Sequence, residues 1–307
     1  MPLPEYPVTV YRSLPKGYAI DPLPPVHHGR VFHYTNARTA MAVATSRHFR
    51  ASDVAVMNDP SERLFGWETI ARVYSASKDR FNDRAQDVFD EIVRDALSWN
   101  FMPQGFALCA STVGDDLNQY RLYGDYQLEL PSGVWQQDQE RLEDPGYAQA
   151  VWRPVVYGEE ASEELASRML EAAAIVINEP EDGDATDEGV IATFMLEVAA
   201  LHMKHGAYAT EHEVRLIFQA GPLEGAKPKV REREGQLVTY VEAWNQEVES
   251  QPIVRGVMLG PLAGGEAARA AMRLHLKNSF PELLWRRSED DGPDPIEVEV
   301  SKIPFRG

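Results

Sequence analysis

The sequence contains a single cysteine, Cys109, among 307 residues. One thiol cannot form an intramolecular disulfide, and the lack of disulfides indicates a reducing, cytoplasmic compartment. Because Cys109 lies in the apolar run FALCA, we interpret it as a buried structural thiol. The N-terminal stretch MPLPEYPVTV has neither the basic nor the apolar segment of a secretory signal, and no apolar run reaches membrane-spanning length. We therefore predict a cytoplasmic protein that does not enter the membrane.

Basic residues are scarce relative to acidic ones. Thirty Lys and Arg face forty-eight Asp and Glu, which gives a formal net charge of -18. Such a chain repels phosphate at long range, and this disfavours a broad duplex-binding surface. A local basic groove and a basic protein partner both remain compatible with this charge.

The order of predicted elements favours one domain. Residues 1–29 are rich in proline and are predicted to form an extended arm laid over the domain that follows, 30–307. Neither an internal repeat nor a clear linker divides that region. The first third has helical periodicity and the remainder is rich in strands. We therefore predict an α+β fold with a split, mostly antiparallel sheet flanked by helices, and expect segments 31–35, 106–111 and 213–219 to reach its core.

The first candidate site residues lie near the N-terminal end of that domain. The alternation of VFHYT predicts a strand with His33 and Thr35 on one face and Tyr34 on the other. Residues 59–62, DPSE, have the chemistry of a helix start, with proline at the first helical position and a glutamate that completes a capping box. Asn58 precedes them, and two roles remain open for it: helix initiation, or ordering a loop that contacts a ligand.

A later helix and strand carry the other candidates. DDLNQYRLYGD predicts a helix with Tyr120 and Tyr123 at near-helical spacing, where either packing or a binding role explains them. EVRLIFQ predicts a strand whose apolar stripe faces away from Glu213 and Arg215, and a surface ion pair is the alternative to a site for these two. Glu211 shares their face if the strand extends that far. Two nearby carboxylates raise one pKa unless a cation such as Arg215 lies between them.

Several other kinds of site find little support. The spacing of His202, His205 and His212 does not match a familiar zinc ligand set, so no metal is predicted. A phosphate-binding glycine loop and a serine nucleophile elbow are both missing from the sequence.

Several segments in order resemble a bacterial family catalogued as domain of unknown function 2971. They are FHYT, NDPSE, FALCASTVGDDLNQYRLYGD, VVYG, KHGAYATEHEVRLIF, VMLGP and SKIPFR, and they span roughly residues 31–306. The chain departs from the family at Asp125, which runs directly into the strand YQLEL where the family usually has a glycine-containing turn. The shortened hairpin is expected to alter the neighbouring side of any pocket.

The layout of that family is similar to the ADP-ribosyltransferase fold, which includes DNA- and RNA-modifying toxins of phage-defence systems. This is an analogy of fold. The resemblance implies that NAD is the substrate, that an early strand supplies His33 to hold its ribose, and that a late strand supplies Glu213 as the catalytic carboxylate. The binding residues implied are His33, Tyr34, Thr35, Asn58, Ser111, Tyr120, Tyr123 and Arg215.

The chemistry explains why these residue types would be needed. Departure of nicotinamide leaves an oxocarbenium-like ribose, and a carboxylate stabilises this transition state more than the ground state. One hypothesis is therefore an NAD-consuming transferase, a phage-defence or toxin effector that modifies DNA, RNA or protein. The other is a non-catalytic sensor or interaction module on the same scaffold. The acidic charge favours the second hypothesis, and the His, Tyr and Glu residue types favour the first.

Overall fold

The computed structural model describes residues 21–46, 48–54, 61–98, 104–137, 149–178, 185–220, 228–233, 235–245, 252–283 and 294–304. The α-helices in these ranges are Ala37–Ala44 (α1), Ser61–Ser77 (α2), Asp83–Ser98 (α3), Leu117–Tyr123 (α4), Glu159–Asn178 (α5), Ala185–Ala200 (α6) and Gly265–Ser279 (α7). The strands are Val31–Thr35 (β1), Phe49–Asp53 (β2), Gln104–Ser111 (β3), Tyr126–Leu130 (β4), Trp135–Gln137 (β5), Gln149–Ala150 (β6), Arg153–Pro154 (β7), Val156–Tyr157 (β8), Met203–Lys204 (β9), Glu213–Ala220 (β10), Lys229–Arg233 (β11), Gln236–Asn245 (β12), Gly256–Leu259 (β13) and Glu297–Val300 (β14).

Twelve of these strands form one sheet in which the pairing is antiparallel except between β13 and β14. Strand β3 lies at its centre. On one edge it pairs with β10 over eight residues, and on the other edge it pairs with β1 and β2. The predicted mostly antiparallel α+β fold is confirmed, and the three segments expected in the core are neighbours.

Strands β1 and β2 both pair with the same edge of β3, at different positions along it. Strand β1 pairs with β3 only at Phe32 and Ser111, whereas β2 pairs further along, at Ser52 and Ala107. Strand β1 pairs with β4 over its whole length, from Val31 to Thr35. A local split in the sheet follows from this arrangement.

Two hydrophobic cores cover the two faces of the sheet. One core contains Val31, Val214 and Leu216 together with residues of α1 and α7, and the other is formed by α2, α3, α5 and α6. Alternate residues of β10 enter the first core, so Glu213 and Arg215 project towards the helices on the opposite side. This matches the face predicted for them from the sequence.

A local sequence signal accounts for the start of α1, whereas other predicted boundaries differ from those in the structure. The side chain of Asn36 accepts a hydrogen bond from the Thr39 backbone N–H at 3.0 Å, as expected of an N-cap. Helix α1 ends at Ala44, earlier than its predicted end near residue 48, and strand β2 begins at Phe49. The predicted strand 153–157 is divided into the short strands β7 and β8. The predicted helix 188–203 ends at Ala200, and β9 follows it.

The described part of the N-terminal arm, residues 21–29, contains neither helix nor strand. Leu23 is buried among the helices. The buried guanidinium of Arg153 donates to the side chain of Asp21 and to the backbone carbonyl of Pro24. These contacts tie this stretch to the domain.

A buried ion pair and a close backbone contact join α2 to α6. Arg63 Nε donates to Glu197 Oε1 at 2.8 Å, and Trp67 Nε1 donates to the other oxygen of the same carboxylate at 2.5 Å. All three side chains are buried. Between Arg63 and Trp67 on the same helix, Gly66 lies against the backbone of Ala200. The absence of a side chain at Gly66 is what allows the two helices to approach this closely.

We expect Gly66→Ala to destabilise the protein by about 1–3 kcal/mol, the usual cost of overpacking. An added Cβ would lie 2.6 Å from Ala200 Cα, and backbone cannot move aside as a flexible side chain can. Urea unfolding measures the effect. Gly189→Ala in α6 is the control, since its Cβ would meet only Val88 Cγ1 at 3.9 Å. That variant should be neutral or more stable by up to about 1 kcal/mol, and equal effects of the two changes would contradict the packing argument.

Candidate carboxylate and cation site

Five charged side chains meet beside the first residues of β10. They are contributed by the start of α2, by β9, by a 3-10 helix at Gly206–Glu211 and by β10. We call this group the carboxylate cluster, and its members are Glu62, Lys204, Glu211, Glu213 and Arg215. Each is at most 13% exposed.

Lys204 is the centre of the cluster. Its ammonium group donates to Glu211 Oε2 at 2.6 Å and to Glu213 Oε2 at 3.0 Å, and lies 2.8 Å from Glu62 Oε1. These three contacts use the three donors of a lysine ammonium group. Lys204 therefore links carboxylates from three separate elements.

Arg215 binds two of the same carboxylates. Its Nε donates to Glu213 Oε1 at 2.6 Å, one terminal nitrogen donates to Glu62 Oε2 at 2.5 Å, and the other donates to the Leu201 carbonyl at 2.6 Å. The side chain is 1% exposed and that of Glu213 is 7% exposed. The alternative of a surface ion pair between Glu213 and Arg215 is therefore wrong, because the pair is buried beneath α2 and β9.

The two cations keep the buried carboxylate ionised. Burial alone would raise the pKa of Glu213, but the charges of Arg215 and Lys204 outweigh it and lower that pKa to about 2. Burial likewise opposes the charge of Lys204, yet the surrounding glutamates raise its pKa above the ordinary value. Three carboxylates against two cations give the cluster a formal charge of -1.

The backbone at His212 sets the direction of the two neighbouring glutamates. His212 has a φ of 48°, in the left-handed region that non-glycine residues rarely adopt. It turns the chain from the 3-10 helix into β10, so Glu211 and Glu213 both contact Lys204. Strained conformations of this kind cluster at functional sites.

Three tyrosines surround the cluster. The hydroxyl of Tyr123 donates to Glu211 Oε1 at 3.4 Å, and the ring of Tyr208 lies 4.8 Å from Lys204 Nζ. The hydroxyl of Tyr157 accepts a hydrogen bond from the Glu213 backbone N–H at 2.8 Å, and burial raises the pKa of Tyr157 to about 12. Tyr123 is 36% exposed, the most of the three. The cluster is therefore most accessible on the side of Tyr123 and Glu211.

Ser111 lies on the same face of the sheet, directly opposite Glu213. Its hydroxyl donates to the Glu211 carbonyl at 2.8 Å, and the side-chain amide of Gln119 donates to the same oxygen at 3.2 Å. Both side chains are buried. They hold the backbone of Glu211 in place, a positioning contact that the sequence did not indicate for Gln119.

Tyr34 and Tyr120 form a separate aromatic pair. Their ring centroids are 5.1 Å apart in an edge-to-face arrangement. The Tyr34 hydroxyl donates to the Val113 carbonyl at 2.9 Å, and that of Tyr120 donates to Asp115 Oδ1 at 3.1 Å. Both residues are buried. Their contacts hold the loop before α4, as the packing alternative for Tyr120 predicted.

His33 projects from the other face of the sheet. Phe32 pairs with Ser111, which pairs with Glu213, so those three residues share a face and His33 points away from it. Its Nδ1 lies 3.0 Å from the Cys109 carbonyl, and its ring packs edge-on against Phe49. Burial lowers the pKa of His33. His33 and Glu213 therefore do not line one cleft, contrary to what the resemblance implied.

The remaining predicted residues have different placements. Thr35 is buried on the same face as His33, with Tyr126 opposite it in β4. Asn58 lies outside the described residues. Cys109 is half-buried on β3, where burial raises the pKa of its thiol well above the ordinary value. A neutral thiol in this position agrees with a structural role.

Sequence reasoning missed two members of the cluster. Glu62 was predicted to complete a capping box, yet its carboxylate contacts Lys204 and Arg215 instead. Lys204 falls in a two-residue strand that no periodicity reveals. The available signal was charge: Glu211, Glu213 and Arg215 leave a surplus of negative charge that required a further cation once buried.

The histidines flanking the cluster have local roles. His202 Nδ1 contacts the Val198 carbonyl at 2.8 Å, and burial lowers the pKa of His202 to about 3. His205 caps the 3-10 helix through the Ala207 N–H. Within the described ranges, no three metal-ligating side chains lie close enough together to hold an ion.

Comparisons of the chain with protein-family models, curated proteins and solved structures find no match. The resemblance to domain of unknown function 2971 stays a prediction. Over the part of the chain that the structure describes, no helix combines the length and apolar character needed to cross a bilayer.

Proposed function

We propose that this protein cleaves the nicotinamide–ribose bond of NAD and transfers ADP-ribose, with the carboxylate cluster as its active site. The observation that carries the proposal is the formal charge of -1 that the cluster retains beside the exposed ring of Tyr123. The nicotinamide ring of NAD is flat and positively charged. A carboxylate at the edge of an aromatic ring complements such a group by charge and by stacking.

Glu211 is the carboxylate best placed to face the ligand. Both oxygens of Glu213 accept hydrogen bonds from cations, Oε1 from Arg215 and Oε2 from Lys204 and Arg215. Among the described residues, Glu211 binds Lys204 through Oε2, and its Oε1 has one long contact, with Tyr123. We assign Glu211 to the developing ribosyl cation and Glu213 to positioning Lys204.

The bond between ribose C1′ and the pyridinium nitrogen breaks, and its electron pair leaves with neutral nicotinamide. Positive charge therefore moves from the ring to the ribose during the reaction. A fixed carboxylate then stabilises the transition state without reorganising. Ser111 and Gln119 hold the backbone that carries Glu211, and Lys204 fixes its Oε2. Water or a nucleophile of a DNA, RNA or protein acceptor completes the transfer.

His33 has no role at this site in the proposal, because it projects from the opposite face of the sheet. This separates the proposed site from the set that the resemblance implied. The phage-defence or toxin role belongs to the same proposal and depends on the acceptor.

Calorimetry with NAD, together with nicotinamide release, tests this assignment. We expect binding of NAD, and Tyr123→Ala should weaken it by about 5- to 10-fold, the usual contribution of one aromatic contact. Leu122→Ala is the matched control, since Leu122 is 64% exposed and adjacent in α4. If millimolar NAD produces neither heat of binding nor a thermal shift, the proposed function is wrong.

One observation favours the non-catalytic alternative. Both oxygens of Glu213 are bound by cations. A structural role, in which the ion pairs fix β9 and α2 to β10, therefore also accounts for the cluster. In that case the protein is an interaction module, and the cluster variants lose stability without any activity to lose.

A further inference from the structure

A second group of charged side chains lies on β2, β11 and β12, on the opposite side of β3 from β10. The guanidinium groups of Arg50 and Arg231 both lie over the ring of Tyr240, and the charge of Arg233 acts on Arg231. We call these three arginines the arginine patch. The strand register explains the convergence. Tyr240 is opposite Ser52 in β2, and Arg50 and Arg231 occupy alternate positions on the same face as these two.

The arginines crowd one another. The guanidinium carbons of Arg50 and Arg231 lie 5.0 and 5.5 Å from the centroid of the same Tyr240 ring. Burial, together with the charges of Arg50 and Arg233, lowers the pKa of Arg231. Like charges held together in this way cost folding free energy. In a chain of net charge -18, this concentration of positive charge calls for an explanation.

The donors of Arg231 are only partly used. One terminal nitrogen donates to Ser52 Oγ at 2.8 Å, whereas its buried Nε–H has no hydrogen-bond partner within the described residues. Glu242, which lies opposite Arg50 in the pairing of β12 with β2, accepts a hydrogen bond from Lys229 at 2.6 Å. An unpaired donor beside two further guanidinium groups favours the arrival of an anion.

We infer that the arginine patch is a binding site for a phosphate group, carried either by a nucleic-acid strand or by a small phosphorylated molecule. The planar fork of a guanidinium group matches the oxygens of phosphate, and clusters of arginine are the usual way to bind it. The ring of Tyr240 is buried and already covered by two arginines, so it holds the guanidinium groups and does not stack on a base.

The overall acidity of the chain does not prevent this. At physiological ionic strength, charges are screened beyond about 8 Å, so a bound phosphate senses the local arginines more than the distant carboxylates. The patch faces the same side of the sheet as the carboxylate cluster, because Ser52 pairs with Ala107 and Ala107 pairs with Ile217. Three strand spacings separate β10 from β12, about 14 Å. The arginine patch shares no residue with the carboxylate cluster, so phosphate binding there does not depend on NAD cleavage.

Two probes distinguish the two sources of phosphate. Inorganic phosphate, followed by chemical shifts of the arginine side chains, reports the small ligand. A fluorescent twelve-nucleotide single strand, followed by anisotropy at low and moderate salt, reports the strand. We expect Arg231→Gln and Arg50→Gln each to weaken binding about tenfold, and to reduce the salt dependence of strand binding by about one phosphate contact. Arg231→Lys should retain part of the affinity.

Arg72→Gln is the control, because Arg72 is half-exposed on α2 and pairs with Glu163. Circular dichroism confirms that each variant is folded. Binding of the strand supports a nucleic-acid partner, and binding of inorganic phosphate alone supports a small phosphorylated ligand. Absence of binding by both probes, or equal affinities for Arg231→Gln and Arg72→Gln, would overturn the inference. NAD turnover is measured separately, so the two proposals can fail independently.

Discussion

Glu211→Gln is expected to slow nicotinamide release by about 10²- to 10³-fold, the usual loss when one fixed electrostatic contact to a transition state is removed. The amide keeps the size of the side chain and can still accept from Lys204, whose Nζ lies 2.6 Å from Glu211 Oε2. It lacks the charge that the ribosyl cation requires. Since that charge matters chiefly in the transition state, kcat should fall far more than KM rises.

The measurement is nicotinamide release under saturating NAD, with thermal unfolding of the same samples as the check on folding. Glu171→Gln removes a half-exposed carboxylate that pairs with Arg80 on the surface, and serves as the control of equal charge change. Equal turnover of Glu211→Gln and wild type would remove Glu211 from the mechanism. Loss of turnover in a folded Glu213→Gln variant, with Glu211→Gln active, would return the catalytic role to Glu213.

Glu213→Gln should instead act on stability, lowering the free energy of unfolding by about 3–5 kcal/mol at neutral pH, as expected when one partner of a buried ion pair is removed. Both carboxylate oxygens are bound by Arg215 and Lys204, and an amide cannot accept at both positions. Urea unfolding measures the difference. Glu171→Gln is again the control, and we expect it to change stability by less than about 1 kcal/mol because its ion pair is solvated.

The same variant should alter the dependence of stability on pH. The pKa of Glu213 is about 2 in the folded protein against an ordinary value of 4.5, so the folded state binds this proton more weakly than the unfolded state. Its contribution is therefore complete above pH 4.5 and is lost as the pH falls towards 2. Wild-type stability should decline more steeply than that of Glu213→Gln within this interval. Parallel acid limbs for the two proteins would contradict the role of the carboxylate.

Elements with strong local signals could be predicted from the sequence. The alternation in β1 and β10 and the cap at Asn36 depend on neighbouring residues, and the structure confirms each of them. Strand β2, with the sequence FRASD, has little apolar alternation and depends on pairing with β3 and β12. Its position could not be predicted because long-range pairing decides it.

In the candidate site too, features set by neighbouring residues were predictable and features set by long-range pairing were not. The face on which Glu213 projects follows from alternation within one strand, and this was predictable. Whether His33 shares that face depends on the register between β1 and β3, which only the folded sheet determines. Lys204 joins the site because β9 pairs with β8 after α6 has ended. Sequence spacing carries no information about such a contact.

The contact between Gly66 and Ala200 limits how far the distances within the carboxylate cluster can vary. Glu62 lies one helical turn before Gly66 on α2, and Lys204 lies four residues beyond Ala200, the last residue of α6. The spacing of these two helices at Gly66 and Ala200 therefore affects the 2.8 Å distance between Lys204 and Glu62. If the helices moved apart by roughly 1 Å, the distance between Lys204 Nζ and Glu62 Oε1 would become too long for a hydrogen bond. The geometry of the carboxylate cluster therefore depends on the lack of a side chain at Gly66, one helical turn from Glu62.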